Sequence, residues 1–571
     1  MSFKKIMSLG LAALMTVSLA ACGGGSSSAS SAAEPAAEEA AAEATAEEAP
    51  AEEAAAEEAP AEEAAAEPAA AGPKGANEDP ANTNTSDETL KVILASEPSS
   101  LWGAPSAKTE NESQIINAAL LDTLVLVDHA TGDVVPNLAT AWEWVDGTHC
   151  KFTLRDDVTM TDGTPLVADD VVYTVGIWTQ YSPSNDTGRF VAGAVADDEH
   201  TVTIEFNVEA PDLLAMMAWS NFGIVSEDEV NAAGGLEKIE SNPVMGSGKY
   251  KFVEWKSGQY IKLERNDNYW NKDWVGYYKD IQITFTSDAA ARAMAVQSGD
   301  ADIAYDMPVA QAAPFIGNPD VGTVVYSFGQ VAHLWYNMGP KAKATADAKV
   351  REAIDKALDF NALAGVGTAG LAQPVLGYFP EGGKYYNQTY TEEERAVDIE
   401  GAKALMEEAG YGSGVDLKIL GTQEATPLYT VIQENLRAIG INLTIDTPDV
   451  PTFVQQAFGD GDYDLIMVGE LTDARYPTLL PFLAKANIES GFVIGGPKWT
   501  TDEIDAAITE AIKETDEAKA KEELGALEQT MKEQFIVSNL YPELKSSVLN
   551  KDLKGYTTRE RGFMDLTNFY K

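Results

Sequence analysis

The sequence predicts an α/β protein whose folded body has two lobes. Strands alternate with helices between residues 398 and 470, and this order is typical of parallel crossover connections in an open sheet. Between residues 121 and 263, short β-rich runs are joined by turns rich in Gly and Asp. The body of about 480 residues exceeds the size at which a single hydrophobic core stops growing, roughly 250 to 300 residues. At least two lobes are therefore expected.

The clearest α/β stretch begins at Asp398, which is a suitable N-cap for a helix that runs to Ala409 and ends at Gly410. The following elements are predicted as strand 415–420, helix 427–439 closed by Gly440, strand 441–445, a helix near 452–458, and strand 463–468. In open parallel sheets, ligands collect beyond the carboxyl ends of the strands. The segment 469–477, which follows the last predicted strand, is therefore a candidate ligand-binding segment.

The β-rich region contains one predicted helix, 168–178, which follows a turn at Asp162-Gly163. Its predicted strands are 152–154, 201–206, 250–255 and 260–264. Cys150 precedes the first of them in a run where apolar and polar residues alternate, so it is predicted as a half-buried strand thiol. Apart from Cys22 it is the only cysteine, so no disulfide is expected within the body.

The N-terminus has the features of a secretory signal, with Lys4 and Lys5 before an apolar stretch at 6–19 that is too short to span a bilayer. Leu19-Ala20-Ala21-Cys22 resembles the bacterial lipoprotein pattern, in which the cysteine is acylated before cleavage. Residues 1–21 are thus predicted as a signal peptide. The mature chain is expected to begin at a lipidated Cys22, anchored on the outer face of the bacterial cell membrane. The alternative is an ordinary signal peptide with a chance cysteine.

Residues 22–88 are predicted to form a disordered tether. The segment is almost entirely Ala, Glu, Pro and Ser, and Ala-Pro-Ala-Glu-Glu-Ala-Ala-Ala-Glu at Ala49 recurs at Ala59. Such a composition buries too little apolar surface to offset the entropy of ordering. As a flexible coil it spans on the order of 45 Å. A stalk that spaces the body from the membrane is the functional interpretation, and low-complexity padding is the alternative.

The charge of the chain argues against a nucleic-acid partner. Of the net charge of −50, the segment 23–88 accounts for −16, with 17 acidic residues and one basic, and the two lysines of the signal contribute +2. The body therefore carries −36. Proteins that bind nucleic-acid phosphates or anionic lipid surfaces neutralise those negative charges with Lys and Arg side chains. An exported protein that is a monomer is the expectation.

The body lacks the common catalytic signatures. Its histidines are His129, His149, His200 and His333, without HxxxH or HExxH spacing, and neither a GxSxG elbow nor a P-loop occurs. No enzyme activity, cofactor or resident metal is predicted. A tethered hydrolase remains a remote alternative, because 73 acidic residues include many pairs. A surface protein without a ligand is another.

A series of motifs through the body resembles the peptide/nickel-type solute-binding proteins of ABC importers, solute-binding protein family 5. The order and spacing of the motifs match, from residue 90 to the C-terminus. The motifs are Val134-Val135-Pro136-Asn137-Leu138-Ala139, Phe152-Thr153-Leu154-Arg155-Asp156, Asp162-Gly163-Thr164-Pro165-Leu166, Asn242-Pro243-Val244-Met245-Gly246, Leu263-Glu264-Arg265-Asn266, Gln297-Ser298-Gly299-Asp300 and Val350-Arg351-Glu352-Ala353-Ile354.

The resemblance implies a two-lobed periplasmic-binding-protein-like fold, type II with an extra β-rich subdomain, and a hinge between the lobes. Mapped onto this chain, lobe one comprises 89–332, with the subdomain at about 118–245, and lobe two comprises 333–538. The C-terminal residues 539–571 return to lobe one. The two crossings are expected near 332–336 and 540–542. Lobe closure around solute is the mechanism that such a hinge implies.

The resemblance also implies a ligand site. In peptide-binding relatives an Asp holds the ligand's α-ammonium, and Asp473 occupies the matching position. A cap for the following turn is its alternative role. Glu470 stands where relatives often have Trp, and Tyr476 replaces an acid before Pro477. Glu470 adds a second anionic contact or pairs with Arg475, which otherwise binds a ligand carboxylate.

Aromatic side chains are expected to supply the apolar walls of the site, because enclosed ligand sites combine such walls with a few polar groups. The candidates are Trp335 and Tyr336 at the first crossing, Tyr378 and Phe379 in a Gly/Pro-rich loop of lobe two, and Trp102 after the loop 98–101. For each of them, core packing is the alternative role.

The expected function is that of an extracellular binding lipoprotein that captures di- or oligopeptides and delivers them to the transmembrane subunits of an ABC permease. A metal chelate or an oligosaccharide is the alternative solute. His333 is the one histidine near a crossing that suits a chelated metal. A sugar favours the aromatic residues over Asp473.

Overall fold

The computed structural model describes residues 84–101, 111–128, 131–180, 191–239, 246–342, 344–471, 498–559 and 562–571. The predicted signal peptide, Cys22 and nearly all of the predicted tether lie outside the described residues. No helix within the described ranges combines the length and the apolar character that crossing a membrane requires.

The described chain contains both strands and helices. The strands are β1 (Thr89–Leu94), β2 (Val125–Val127), β3 (Val134–Pro136), β4 (Ala139–Trp144), β5 (His149–Leu154), β6 (Val191–Asp198), β7 (Thr201–Phe206), β8 (Tyr250–Lys256), β9 (Tyr260–Arg265), β10 (Asp280–Phe285), β11 (Ile303–Ala304), β12 (Val321–Tyr336), β13 (Val415–Leu420), β14 (Ile441–Asp446), β15 (Leu465–Leu471) and β16 (Val537–Asn550). The α-helices are α1 (Asn111–Leu120), α2 (Ala168–Gln180), α3 (Leu213–Met216), α4 (Glu227–Ala232), α5 (Leu236–Ile239), α6 (Ala289–Ser298), α7 (Val309–Ala312), α8 (Ala348–Ala357), α9 (Phe360–Gly367), α10 (Ile399–Glu408), α11 (Thr426–Arg437), α12 (Val450–Val454), α13 (Asp502–Ala511) and α14 (Glu517–Glu533).

One ten-stranded sheet runs through the molecule in the order β14-β13-β15-β12-β16-β11-β1-β10-β9-β8. β1 pairs in parallel with β10 and β11, and β13 pairs in parallel with β14 and β15. The long strands β12 and β16 pair with each other in the middle and join the two parallel groups. We call the residues before β12 and after β16 the first lobe, and the residues between these two strands the second lobe. This arrangement confirms the predicted α/β class.

The predicted α/β stretch is recovered with small shifts at its ends. The Asp398 carboxylate accepts a hydrogen bond from the Gly401 amide at 2.8 Å and caps α10, as the sequence predicts. Gly410 and Gly440 have φ of +86° and +84°, which a residue with a Cβ rarely adopts. The predicted helix near 452–458 differs, because the chain forms α12 and then a π-helical turn, Gln455–Asp460.

β15 begins and ends later than predicted, at Leu465 and Leu471 instead of 463 and 468. Gly469 and Glu470 face Ala332 and Val331 across the antiparallel pair with β12. These residues therefore belong to a strand, and the prediction that the strand ends before them is wrong. Pairing with a long partner strand extends β15 where local sequence alone indicates a loop.

A separate four-stranded sheet, in the order β4-β5-β7-β6, forms the β-rich part of the first lobe. Helix α2 packs on it, and the Trp178 ring meets the Phe222 ring edge to face at 5.0 Å. Cys150 lies in β5 between two neighbouring strands, and this strand alternates buried and more exposed residues as predicted, with Cys150 completely buried on the inner face. Burial raises the pKa of its thiol to about 12, which keeps it protonated and unreactive.

Among the described residues, apolar side chains form one cluster that crosses between the lobes, a second inside the second lobe, and a smaller third around helices α6 and α7. The first joins Leu90 and Ile283 of the first lobe to Trp335 and Phe379. The second lies between β12 to β15 and helices α8 to α11. The two faces of β12 thus belong to different cores, since successive strand residues point to opposite sides.

Candidate functional site

Five rings form a connected aromatic cluster where β12 enters the second lobe. We call this set, His333, Trp335, Tyr378, Phe379 and Tyr385, the aromatic cluster. His333 and Trp335 alternate along β12 and therefore share one face. The His333 imidazole stacks on the Tyr378 ring, with ring centroids 4.7 Å apart and an interplanar angle of 11°. The Trp335 ring contacts both of these rings in an edge-to-face arrangement. Phe379 then links Tyr378 to Tyr385.

The His333 imidazole is a neutral member of this cluster. Burial lowers its pKa to about 3, while the nearby Asn539 amide acts in the opposite direction. Asn539 faces His333 across the β12–β16 pair, but neither ring nitrogen has a hydrogen bond of standard geometry. Both side chains are buried. The imidazole consequently acts as an aromatic surface and not as a cation at neutral pH.

The structure brings Trp335, Tyr378 and Phe379 together but separates Tyr336 from them. Tyr336 points to the opposite face of β12, into the second-lobe core. Its hydroxyl lies 2.6 Å from the Ser538 oxygen, and Ser538 donates to Asp355 at 2.5 Å. Because the single Ser538 proton goes to Asp355, Tyr336 donates to Ser538. The Tyr336 side chain is therefore part of a buried hydrogen-bond network and lies on the face of β12 opposite to the aromatic cluster.

Glu528 of α14 holds the loop that carries Tyr378. Its carboxylate accepts hydrogen bonds from the Tyr378 amide at 3.0 Å and from the Thr389 hydroxyl at 2.7 Å. The Asn387 amide lies 3.5 Å from the other carboxylate oxygen. Burial raises the pKa of Glu528 to about 7, although these three donors act to lower it. The position of the Tyr378 ring therefore depends on a buried carboxyl group.

Tyr385 connects the aromatic cluster to the first lobe. Its hydroxyl donates to the Asp212 carboxylate at 3.1 Å, and Asp212 immediately precedes α3. Tyr385 is almost fully buried. Since Asp212 and Tyr385 belong to different lobes, this hydrogen bond joins the first lobe to the second.

Strand β15 contains the first residues of the predicted ligand-binding segment, 469–477. Leu471, its last residue, lies opposite Gln330 of β12. Glu470 is placed by its pairing with Val331. The other predicted residues of the segment, Asp473, Arg475 and Tyr476, lie outside the described residues, and so does Trp102.

A cavity of about 440 Å³ opens beside the loop that precedes Trp102. Its lining residues are Glu97, Pro98, Ser99, Trp255 and Ser257. The Glu97 carboxylate accepts hydrogen bonds from the Trp255 indole at 2.6 Å and from the Gly258 amide at 2.9 Å. These bonds fix the loop 97–99 against β8 and its turn.

Metal-binding groups of three or more His, Cys, Asp or Glu side chains do not occur in the part of the chain that the structure describes. His333, the predicted candidate for a chelated metal, packs against the rings of Trp335 and Tyr378.

Three residues near the crossings were missed by sequence reasoning: Tyr385, Glu528 and Glu543. Glu528 lies in a long helix rich in Glu and Lys, where a buried acid looks like its exposed neighbours. Glu543 directly follows the predicted crossing 540–542, and this adjacency was the available signal. Tyr385 follows a Gly-Gly-Lys sequence that indicates only a turn.

The two parallel strand groups, the paired crossing strands and the aromatic cluster between the lobes define a two-lobed binding protein. Residues 133–490 match the family described as bacterial extracellular solute-binding proteins, family 5 Middle. This match covers more than half of the chain, so the chain belongs to solute-binding protein family 5, a family of substrate-binding transport proteins. The predicted periplasmic-binding-protein fold is thereby confirmed.

Several characterised proteins are similar over most of their length. The periplasmic murein peptide-binding protein MppA of Escherichia coli K12 is 24% identical over 465 residues, which cover 74% of this chain and 82% of that protein. The oligopeptide-binding protein OppA of Bacillus subtilis 168 is 23% identical over 518 residues, with coverages of 84% and 92%. The crystal structure of a dipeptide-binding protein from Pseudoalteromonas sp. SM9913 in complex with Met-Leu has a TM-score of 0.70 and 22% identity, with coverages of 85% and 100%.

Proposed function

We propose that this chain is the solute-binding lipoprotein of a bacterial ABC importer, that it captures di- or oligopeptides by lobe closure, and that it delivers them to a membrane permease. Cys22 anchors the mature chain on the outer face of the cell membrane, and residues 22–88 tether the body to it. The observation that carries the proposal is the aromatic cluster at the crossing, beside the strand that leads to Asp473. Family membership and the peptide-binding relatives support it.

The proposed roles divide the site between apolar walls and charged ends. Trp335, Tyr378 and Phe379 belong to the apolar wall beside the ligand. Asp473 binds the ligand's α-ammonium through charge-assisted hydrogen bonds. Arg475 and Glu470 contact the termini or side chains of the ligand, and Tyr476 and Trp102 extend the wall.

Native mass spectrometry of the full-length chain, purified from membranes, tests the proposal in one measurement. A series of peptide masses that dissociates from the protein is the expected result, and the mass of the protein itself reports acylation at Cys22. An oligosaccharide or a metal chelate in place of peptides would overturn the peptide assignment and retain the transport role. Turnover of a bound solute would overturn the binding-protein assignment.

Asp473→Ala is expected to weaken peptide binding roughly 10- to 150-fold. The reason is the loss of charge-assisted hydrogen bonds, each of which contributes about 1.5 to 3 kcal/mol in an enclosed site. Isothermal titration calorimetry with a free peptide and with the same peptide acetylated at its N-terminus measures the effect. The acetylated peptide is expected to bind both proteins equally weakly. An unchanged affinity of the variant for the free peptide would refute the role of Asp473.

Tyr385→Phe is expected to weaken ligand binding about 2- to 10-fold without unfolding the protein. The change removes only the hydroxyl that reaches Asp212 from the other lobe, and a net hydrogen bond contributes about 0.5 to 1.5 kcal/mol. A closed state that loses this bond is less populated, so ligand must supply more of the closure free energy. Tyr386→Phe is the matched control, and equal affinities of the two variants would contradict the expectation.

A further inference from the structure

Glu543 lies at an irregularity between the two crossing strands. In β12 and β16, Ser327 is opposite Leu544 and Val331 is opposite Pro542. Three residues of β12, 328–330, therefore face the single residue Glu543. Gly329 in this bulge has φ of +83°, a left-handed backbone conformation.

The bulge also places Glu543 beside the strand that enters the proposed ligand site. Gln330, at its end, pairs with Leu471, the last residue of β15. Neighbouring strands lie about 4.8 Å apart, so Glu543 on β16 is roughly 10 Å from the end of β15. Glu543 thus stands at the level of the sheet where the first lobe meets the second.

The neighbours of Glu543 on its own strand come from both lobes. Tyr541, Glu543 and Lys545 alternate along β16 and share one face. The Tyr541 ring packs against Gly367 of α9 in the second lobe, where a Cβ would collide with it. The Lys545 ammonium lies over the rings of Phe328 and Phe563, at 4.8 and 4.4 Å from their centroids. Glu543 therefore lies between Tyr541, which contacts the second lobe, and Lys545, which contacts the first lobe.

The carboxylate of Glu543 is partly buried and has no partner among the residues that the structure describes. Burial raises its pKa to about 7, against the opposing effect of Lys545. The residue nevertheless keeps some accessible surface, and none of its oxygens has a hydrogen bond or ion pair within the described residues, whereas the nearby acids Glu528 and Asp355 do. An unpaired carboxylate in such a place is costly unless a cation meets it.

We infer that Glu543 binds a cationic group of the ligand, an ammonium or guanidinium distinct from an α-ammonium held by Asp473. The inference rests on the proposed function, and it specifies the substrate class as solutes with a positively charged side group. Glu543 is accordingly a specificity-determining residue, because it selects among ligands of equal length.

Peptides that differ in one side chain test this inference. The probes are tripeptides of identical length with lysine or its uncharged isostere norleucine at each position in turn, measured by calorimetry at pH 8. The unaltered protein is expected to bind at least one lysine peptide tenfold or more tightly than its norleucine counterpart. Glu543→Gln is expected to abolish this preference and to leave norleucine peptides bound with unchanged affinity. Glu264→Gln, an exposed acid on β9, is the control and is expected to keep the preference.

The possible outcomes separate the two proposals. Peptide binding without any preference for lysine, or a preference that Glu543→Gln retains, overturns the inference and leaves the proposed function intact. Absence of binding for every peptide overturns the proposed peptide function. In that case thermal shifts with diamines and guanidinium compounds decide the inference, since a shift that Glu543→Gln removes supports it and no shift overturns it. Far-UV circular dichroism of the variant shows whether its fold is retained.

Discussion

Asp355→Ala is expected to lower the free energy of unfolding by about 3 to 5 kcal/mol, the largest loss of stability that we predict. Asp355 and Arg395 form a buried ion pair with 3.2 Å between their charged atoms. The Arg395 guanidinium also lies over the Tyr390 ring at 3.5 Å and the Phe360 ring at 4.3 Å. Removing the acid leaves a buried cation without its counterion, and this is more costly than the pair itself is favourable.

Chemical denaturation of the variant measures this loss, with Glu408→Ala as the control. Glu408 pairs with Lys349 at 2.8 Å on the surface, and exposed pairs contribute about 1 kcal/mol or less. The double variant Asp355→Leu/Arg395→Met is expected to be more stable than Asp355→Ala, because it removes both charges together. A loss below about 1 kcal/mol in Asp355→Ala would show that water or another group compensates Arg395.

The second large effect concerns pH. Glu528 has a pKa raised to about 7 in the folded protein against an ordinary value of 4.5, chiefly because it is buried. Between these two values the folded state keeps a proton that the unfolded state releases. Its contribution to stability is therefore fully present below about pH 4.5 and is lost as the pH rises through 7. For a difference of this size the change is on the order of 3 kcal/mol.

Glu528→Gln is expected to remove this part of the pH dependence. Urea titrations at intervals from pH 5 to pH 8 give the slope of stability against pH, and the slope of the variant should be smaller by up to one proton. Glu229 and Glu543 also have a pKa raised to about 7, so only the difference between the two proteins reports on Glu528. Glu522→Gln, an exposed acid on the same helix, should leave the slope unchanged. Equal slopes for all three proteins would show that Glu528 does not titrate in this range.

The same titration bears on ligand binding, because Glu528 orients the loop of Tyr378. An ionised Glu528 accepts from the Tyr378 amide and the Thr389 hydroxyl with one oxygen and from Asn387 with the other. A glutamine cannot accept on both sides, since one of its two ends donates. The Tyr378 ring is thus less firmly held against His333 in the variant.

Much of the second lobe follows from local sequence signals. Asp398, Gly410 and Gly440 mark the ends of helices α10 and α11 by their capping chemistry, and the strand 415–420 is recovered without change. The end of β15 was misplaced because its last residues are strand only through their partners in β12. Pairing between residues more than one hundred positions apart leaves no mark in a short window of sequence.

The sequence predicted which residues of the candidate site lie near the first crossing, but it did not predict the face of β12 to which each side chain points. Trp335 and Tyr336 are equivalent as sequence, yet one joins the aromatic cluster and the other the second-lobe core. Alternation along a strand assigns neighbours to opposite faces, but it does not say which core each face joins. The burial of Glu528 and the partial burial of Glu543 could not be predicted from the sequence either. Acids are frequent in this chain, and only tertiary packing distinguishes these two from the exposed ones.

The central position of β16 has a consequence for the order in which the sheet folds. This strand is formed by residues 537–550, near the end of the chain, and it lies between β12 and β11 in the middle of the sheet. A chain without this segment lacks the strand that completes both halves of the sheet. Pairing over such a long sequence separation forms late and slowly. The sheet is therefore expected to form as one unit, after residues 537–550 have paired with both of their neighbouring strands.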